Sequence, residues 1–218
     1  MKLHQFRKFV TCLIVLTIAA VLFSSCSTVS KSTEATGNSI IEKIYADIIT
    51  QPDITSLINI SKIIISGKVL SVDPSVKVPI KFDFPDTVTK AEREKLENSE
   101  EGYHIFTVSE VEVSKVTKGD LKEGDVIKIY QLGGSSEEKI IELNRFDYFK
   151  QGDNHILFIT DWDGKYCTVN PIQGDIKLVD KKSRVNEDNK LFQDGIAEDE
   201  LISNIKAYVD KAKSSEKP

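Results

Sequence analysis

From residue 40 onward, apolar positions first recur with a helical spacing and then, over most of the chain, alternate with polar ones. Ile40, Ile41, Ile44, Tyr45 and Ile48 fall on one stripe and predict a short amphipathic helix over 40–49. Pro52 ends it, and Asp53 can cap a further turn through Ile60, which makes residues 40–61 a helical segment. The pattern then changes. Lys62 to Val72 is apolar and β-branched, with Gly67 at its middle, where a strand is expected to bulge or bend sharply. Residues 73–102 read as an insertion, first a proline-interrupted extended piece and then a charged helix over Thr89 to Asn98. Thr89 and Glu92 have capping-box spacing at its start.

Tyr103 to Val116 is the longest strand signal, with Val111 and Val113 alternating against Glu110 and Glu112. Asp125 to Leu132 alternates again, and Gly133 to Ser136 reads as a flexible loop. Asn154 to Thr160 is a further strand, whose unbroken run Ile156-Leu157-Phe158-Ile159 suits cover on both faces. Asp161 to Gly164 is a hairpin turn, Lys165 to Val169 returns from it, and Gly174 to Val179 closes the set. Residues 181–218 are expected to be a linker and a helix over Ile196 to Ala212, with Ile196, Leu201, Ile205, Tyr208 and Val209 near one face. Five or more bent strands with few long helices predict a mainly β chain with a closed or nearly closed small barrel over 62–180.

The start of the chain is built differently. Met1 to Lys8 holds Lys2, Arg7 and Lys8 and no acidic residue, and Phe9 to Phe23 is apolar apart from two threonines. A basic head followed by about 15 apolar residues predicts a secretion signal over 1–25, too short for a stable span. Phe23-Ser24-Ser25-Cys26 resembles the lipobox of bacterial lipoproteins, in which small residues precede a cysteine that is acylated and becomes the new N-terminus. The resemblance implies a lipid anchor on Cys26 and a place on the extracytoplasmic side of a bacterial cell membrane. The plain alternative is an ordinary signal cut near Ser25. Ser27 to Ser39 is rich in serine and threonine and nearly free of apolar residues, so residues 26–39 read as a flexible tether.

Charge narrows the partners. Residues 1–25 contain three of the 29 basic residues and none of the 34 acidic ones, so the remainder carries a formal net charge of −8. An acidic surface argues against general nucleic-acid binding, which needs basic patches for phosphates, and leaves membrane attachment to the lipid. With Cys12 in the signal and Cys26 acylated, Cys167 has no disulfide partner in the chain, and its strand setting reads as a buried, inert thiol.

The series Ile-Ser-Gly-Lys-Val (65–69), Val-Thr-Lys-Gly (116–119), Asp-Val-Ile-Lys-Ile (125–129) and Gly-Asp-Asn-His-Ile-Leu-Phe-Ile (152–159) resembles the OB-like barrel of netrin-type and metalloproteinase-inhibitor modules. The resemblance covers about residues 60–180 and implies a five- or six-stranded OB-like barrel with flanking helices. It departs in chemistry, because those modules are disulfide-rich and the inhibitors set a free N-terminal cysteine amine on a target's zinc. An acylated Cys26 far ahead of the barrel does not do that.

The chemistry-bearing residues are sparse. His104 and His155 each lie on a strand with no ligand-spaced neighbour and read as satisfied structural or exposed histidines rather than a catalytic pair, while the Ser-x-x-Lys pairs at Ser136/Lys139, Ser203/Lys206 and Ser214/Lys217 are expected by chance. No glycine-framed nucleophile, zinc-protease motif or phosphate-cradling loop is present, and no motif requires a cofactor or a metal. Asp161 and Asp163 flank Trp162 at the hairpin. Two carboxylates there supply too few ligands for a calcium loop, and Asp-Gly is also the favoured hairpin tip. Turns at one barrel end are where OB-like modules bind, so Trp162, Asp161 and Asp163, with Gly133, Gly134 and Ser135, form the expected contact rim. The leading expectation is a noncatalytic module that binds a protein, peptide or glycan at the cell envelope. The competing one is an envelope hydrolase using scattered carboxylates such as Glu142, Asp153, Asp161 and Asp163.

Overall fold

A computed structural model of the chain describes residues 40–44, 48–79, 89–97, 103–135, 139–143 and 146–215. The expected signal, Cys26 and the expected tether lie outside the described residues. β1 (Ile40–Ile44) is followed by α1 (Ile54–Ile60), the long β2 (Ile63–Pro79) and α2 (Lys90–Glu97). Next come β3 (Tyr103–Lys118), β4 (Val126–Leu132), β5 (Gly134–Ser135) and β6 (Lys139–Leu143). β7 (Asn154–Trp162), β8 (Lys165–Thr168), β9 (Asp175–Val179), β10 (Lys182–Arg184) and α3 (Glu198–Ser215) complete the order. The chain is mainly β.

The strands form one seven-stranded sheet in the order β10-β9-β7-β2-β3-β4-β8 and a small sheet in the order β1-β6-β5. β8 pairs antiparallel with β7 at four positions and parallel with β4 at Ile129 and Tyr166. The remaining pairings of the large sheet are antiparallel.

β7 shows why the sheet sits where it does. Successive side chains of a strand point to opposite faces. Ile156 and Phe158 belong to one core with Ile64 and Ile176, and against it α3 lays Leu201, Ile205 and Val209, three residues four apart on one helix face. Leu157 and Ile159 belong to a second core with Ile63, Ile65, Val111 and Ile129. The expected cover on both faces of Ile156–Ile159 is therefore present. The start of α3 is pinned to the sheet, since Ser66 Oγ donates to Glu198 at 3.0 Å and Lys115 pairs with Asp199 at 2.7 Å.

Several expectations need correction. Residues 40–44 are a strand paired in parallel with β6, and the expected helix over 40–49 is not formed there. Three β-branched isoleucines in five residues fit a strand as well as a helical stripe, and pairing decides between them. Residues 73–79 are the end of β2 and not part of the expected insertion. Pro74, which has no N–H to give, falls in a bulge where the register shifts between Asp73 and Val76. The helix predicted after it is α2. Gly134 and Ser135 pair with Ile141 and Ile140, and Gly133 bridges to Phe106, so this segment is bound into sheets rather than a free loop. The expected linker after residue 181 contains β10, hairpinned to β9 through Asp180 and Lys181, both with positive φ.

Gly67 stands where β2 crosses β3 closely. A Cβ there would lie 2.6 Å from Val111 Cγ1 and 2.9 Å from the Glu112 carbonyl oxygen. One of these neighbours is backbone and cannot yield freely. Gly67→Ala should destabilise the fold by about 1–3 kcal/mol, the range for forcing a methyl into a packed site. Urea denaturation of the parent and variant checks this, and an unchanged midpoint would contradict the packing.

Candidate functional site

Two regions gather polar and aromatic groups. The first is the β7–β8 hairpin. Trp162 pairs with Lys165, leaving Asp163 and Gly164 as a two-residue turn with φ of 50° and 75°. Positive φ at both central residues is what a tight twisted hairpin requires, and Asp-Gly supplies it. Asp161 accepts from the Gly164 amide at 2.8 Å and pairs with Lys62 at 3.2 Å. The amide bond, then Lys62, holds its carboxyl below the usual range. Asp163 lies 3.9 Å from Lys165. Both carboxylates thus serve the turn and its flanks, and among the described residues no group of three or more His, Cys, Asp or Glu is arranged to hold a metal ion.

Trp162 is 38 % exposed. Its ring centroid is 5.4 Å from that of Phe106 and 6.0 Å from that of His104, and Lys165 Nζ lies 5.8 Å over it. One side of the indole is braced and the rest faces solvent, so it is not a plug. His104 is half-buried, and that desolvation pushes its imidazole below its ordinary value. Phe106, itself buried, links the two halves of the expected rim. Its ring meets Trp162 and Tyr130, and its backbone bridges to Gly133, whose amide donates to the Ile105 carbonyl at 2.7 Å. Gly133 is buried and Ser135 exposed. Gly134, at φ 130°, is packed so closely that a Cβ would run into the Ser75 and Thr107 hydroxyls. Gly133 thus pairs with Phe106 while Gly134 packs against Ser75 and Thr107, and of the three only Ser135 offers an exposed contact.

The second region was not anticipated. A cleft of about 200 Å³ lies where the loop before β7 meets β9 and the end of β10. His155, 3 % exposed, lines it. Its Nδ1 is 2.6 Å from Asp175 Oδ1, and its ring lies 4.5 Å from Phe149. Nε2 is closed to solvent and has no hydrogen-bond partner among the described residues. It stands 3.9 Å from Asp153 Oδ2, which Lys177 Nζ holds at 2.6 Å.

His155 is thus a buried histidine with an aspartate partner supplied by the neighbouring strand. Directly opposed residues of paired strands share a face, and His155 opposes Lys177, two residues beyond Asp175. Asp153 and His155, two apart, carried the one local signal of this cluster. Two carboxylates of the expected hydrolase, Asp153 and Asp161, do not converge. Asp153 and Asp161 stand at opposite ends of β7, about 26 Å apart at strand rise. Cys167 is half-buried, and desolvation pushes its thiol up to about 11, as suits an unreactive packing residue.

No protein-family model matches this sequence, and no curated protein matches it.

Proposed function

We propose that this chain is a noncatalytic binding module, held on the extracytoplasmic face of a bacterial membrane by a lipid on Cys26, that engages an envelope protein, peptide or glycan through the rim around Trp162. One observation carries the contact reading. An indole that is 38 % exposed is fixed from behind by Phe106 and His104 rather than left free to rotate. A rigid, half-exposed tryptophan loses little conformational freedom on binding and brings a large apolar face with one N–H donor.

The OB-like barrel belongs to the same proposal. Support comes from β8 lying between β7 and β4, which links β7, β2, β3, β4 and β8 in a ring of neighbours. On this reading Leu157, Ile159 and Ile129 fill the barrel, and the β7–β8 turn opens at one end of it.

Crosslinking from intact membranes, followed by capture of the full chain, tests the binding role. The parent should recover a reproducible partner, and Trp162→Ala should lose most of it while melting within a few degrees of the parent. Recovery of the same partner by Trp162→Ala, or of bulk lipoproteins alone from the parent, would remove the rim from the proposal. An unfolded Trp162→Ala would mean that the ring is core.

The hydrolase reading has one observation in its favour, the His155–Asp175 hydrogen bond in a cleft. Among the described residues no serine, threonine or cysteine lines the cleft, and the Tyr148 hydroxyl donates to the Leu132 carbonyl at 3.0 Å, so any hydrolysis there would fall to the aspartates.

A further inference from the structure

Residues 48–51 lie between β1 and α1 and supply no side chain to either apolar core. Ile49 is 82 % exposed, and Thr50 is exposed beside it. Among the described residues, their main chain makes no hydrogen bond to another stretch of main chain. Two side-chain amides from the turn between β8 and β9 hold them instead.

Gln173, 2 % exposed, supplies the closer hold. Its Oε1 accepts from the Gln51 amide at 2.7 Å, and its Nε2 donates to the Gln51 carbonyl at 3.0 Å. Paired residues of antiparallel strands exchange two bonds in this way, so one carboxamide stands in for a strand partner. Asn170 Nδ2 reaches the Ile49 carbonyl at 3.5 Å.

The turn is fixed without help from this segment. Asn170 Oδ1 accepts from the amides of Ile172 at 3.1 Å and Gln173 at 2.7 Å, and Asn170 Nδ2 donates to Gln173 Oε1 at 3.1 Å. Asn189, also buried, donates to the Ile172 carbonyl at 3.0 Å. These bonds survive if residues 48–51 lift away, and water takes the places vacated on both carboxamides. None of the four side chains leaves a core in that movement, so the hydrophobic effect does not oppose it, and the exchanged hydrogen bonds oppose it only weakly. Opening is bounded downstream by α1, where Asp53 caps the helix and Leu57 and Ile58 are buried.

We propose that residues 48–51 form a strap, clipped to the domain by the Gln173 carboxamide, that opens by itself while both cores stay folded. Such local opening needs far less free energy than global unfolding. Gln173 bonds only the main chain of Gln51, so the clip is indifferent to the side chain at position 51.

Native-state hydrogen exchange on the full chain tests this at two amides, Gln51 and Phe158, which donates to the Gly174 carbonyl from β7. Gln51 should be protected, yet exchange at least about tenfold faster than Phe158 after correction for intrinsic rates. Low urea should speed Phe158 and leave Gln51 nearly unchanged, because strap opening exposes little surface. Gln51→Ala should leave the amide at 51 protected. Gln173→Ala should cut its protection by at least about tenfold, as loss of both bonds requires. The proposal fails if Gln51 exchanges at the rate of Phe158 with the same urea dependence, since the segment would then open only with the whole fold. It fails equally if Gln51 is unprotected in the parent, or keeps its protection in a folded Gln173→Ala chain.

Discussion

Replacing Phe158 by alanine should destabilise the protein by about 3–5 kcal/mol, the cost of removing a fully enclosed aromatic ring. Phe158 is 0 % exposed, with its ring 5.5 Å from that of Phe192 under the C-terminal helix α3. Its strand, β7, is flanked by β2 and β9 and cannot move inward without dragging both. The cavity would therefore stay open rather than collapse, which places the cost in the upper part of the range. Against a typical stability of about 5–15 kcal/mol, this is a large share. A chain of this size should melt roughly 6–20 °C lower. Thermal unfolding of the full chain followed by circular dichroism measures it. A variant melting within about 2 °C of the parent would place the ring outside the core.

Cys26→Ala should abolish labelling by a fatty-acid probe in growing cells and leave precursor, or release protein from the membrane fraction. The parent should be labelled and sediment with membranes. The background is low, because of the other two cysteines Cys12 lies within the expected signal and Cys167 is half-buried with its thiol raised to about 11. A thiol in that setting presents almost no thiolate at neutral pH. Equal labelling of parent and variant would reject the anchor and, with it, the proposed location. Stable attachment also needs more than one acyl chain, so a labelled protein that still washes off membranes would carry only one.

The elements that could be read from sequence are those whose signal is local. Ile156 to Ile159 is unbroken and apolar, and it became the strand shared by both cores. Thr89 and Glu92 form the expected capping box, with the Thr89 amide donating to Glu92 at 2.9 Å and the Glu92 amide to Thr89 Oγ1 at 3.4 Å. Asp163-Gly164 made the expected hairpin. What was misread depends on partners far along the chain. Ile40 to Ile44 is a strand because β6 lies beside it, a fact that no stripe of isoleucines contains. Gly133 and Gly134 looked like flexible punctuation, yet Gly133, at positive φ, bridges to Phe106, and the missing side chain of Gly134 allows its close approach to Ser75 and Thr107. The His155 cleft was hidden for the same reason. Asp175 reaches His155 only through the β7–β9 register, and a register is set by the whole hydrophobic pattern rather than by spacing within one segment.

The parallel pairing of β1 with β6 also bears on mechanics. β1 is the first described element, and its five residues run in the same direction as Lys139 to Leu143. A pull on the chain ahead of Ile40 draws β1 backward along its own axis. β6 is held from its far end, where the chain continues toward β7. The load then falls on all five paired positions at once, in shear. An antiparallel partner in the same place would open like a zip, one position at a time. The geometry makes β1 a grip rather than a tear strip, and it directs traction into the small sheet before any of it reaches the strands of the large one.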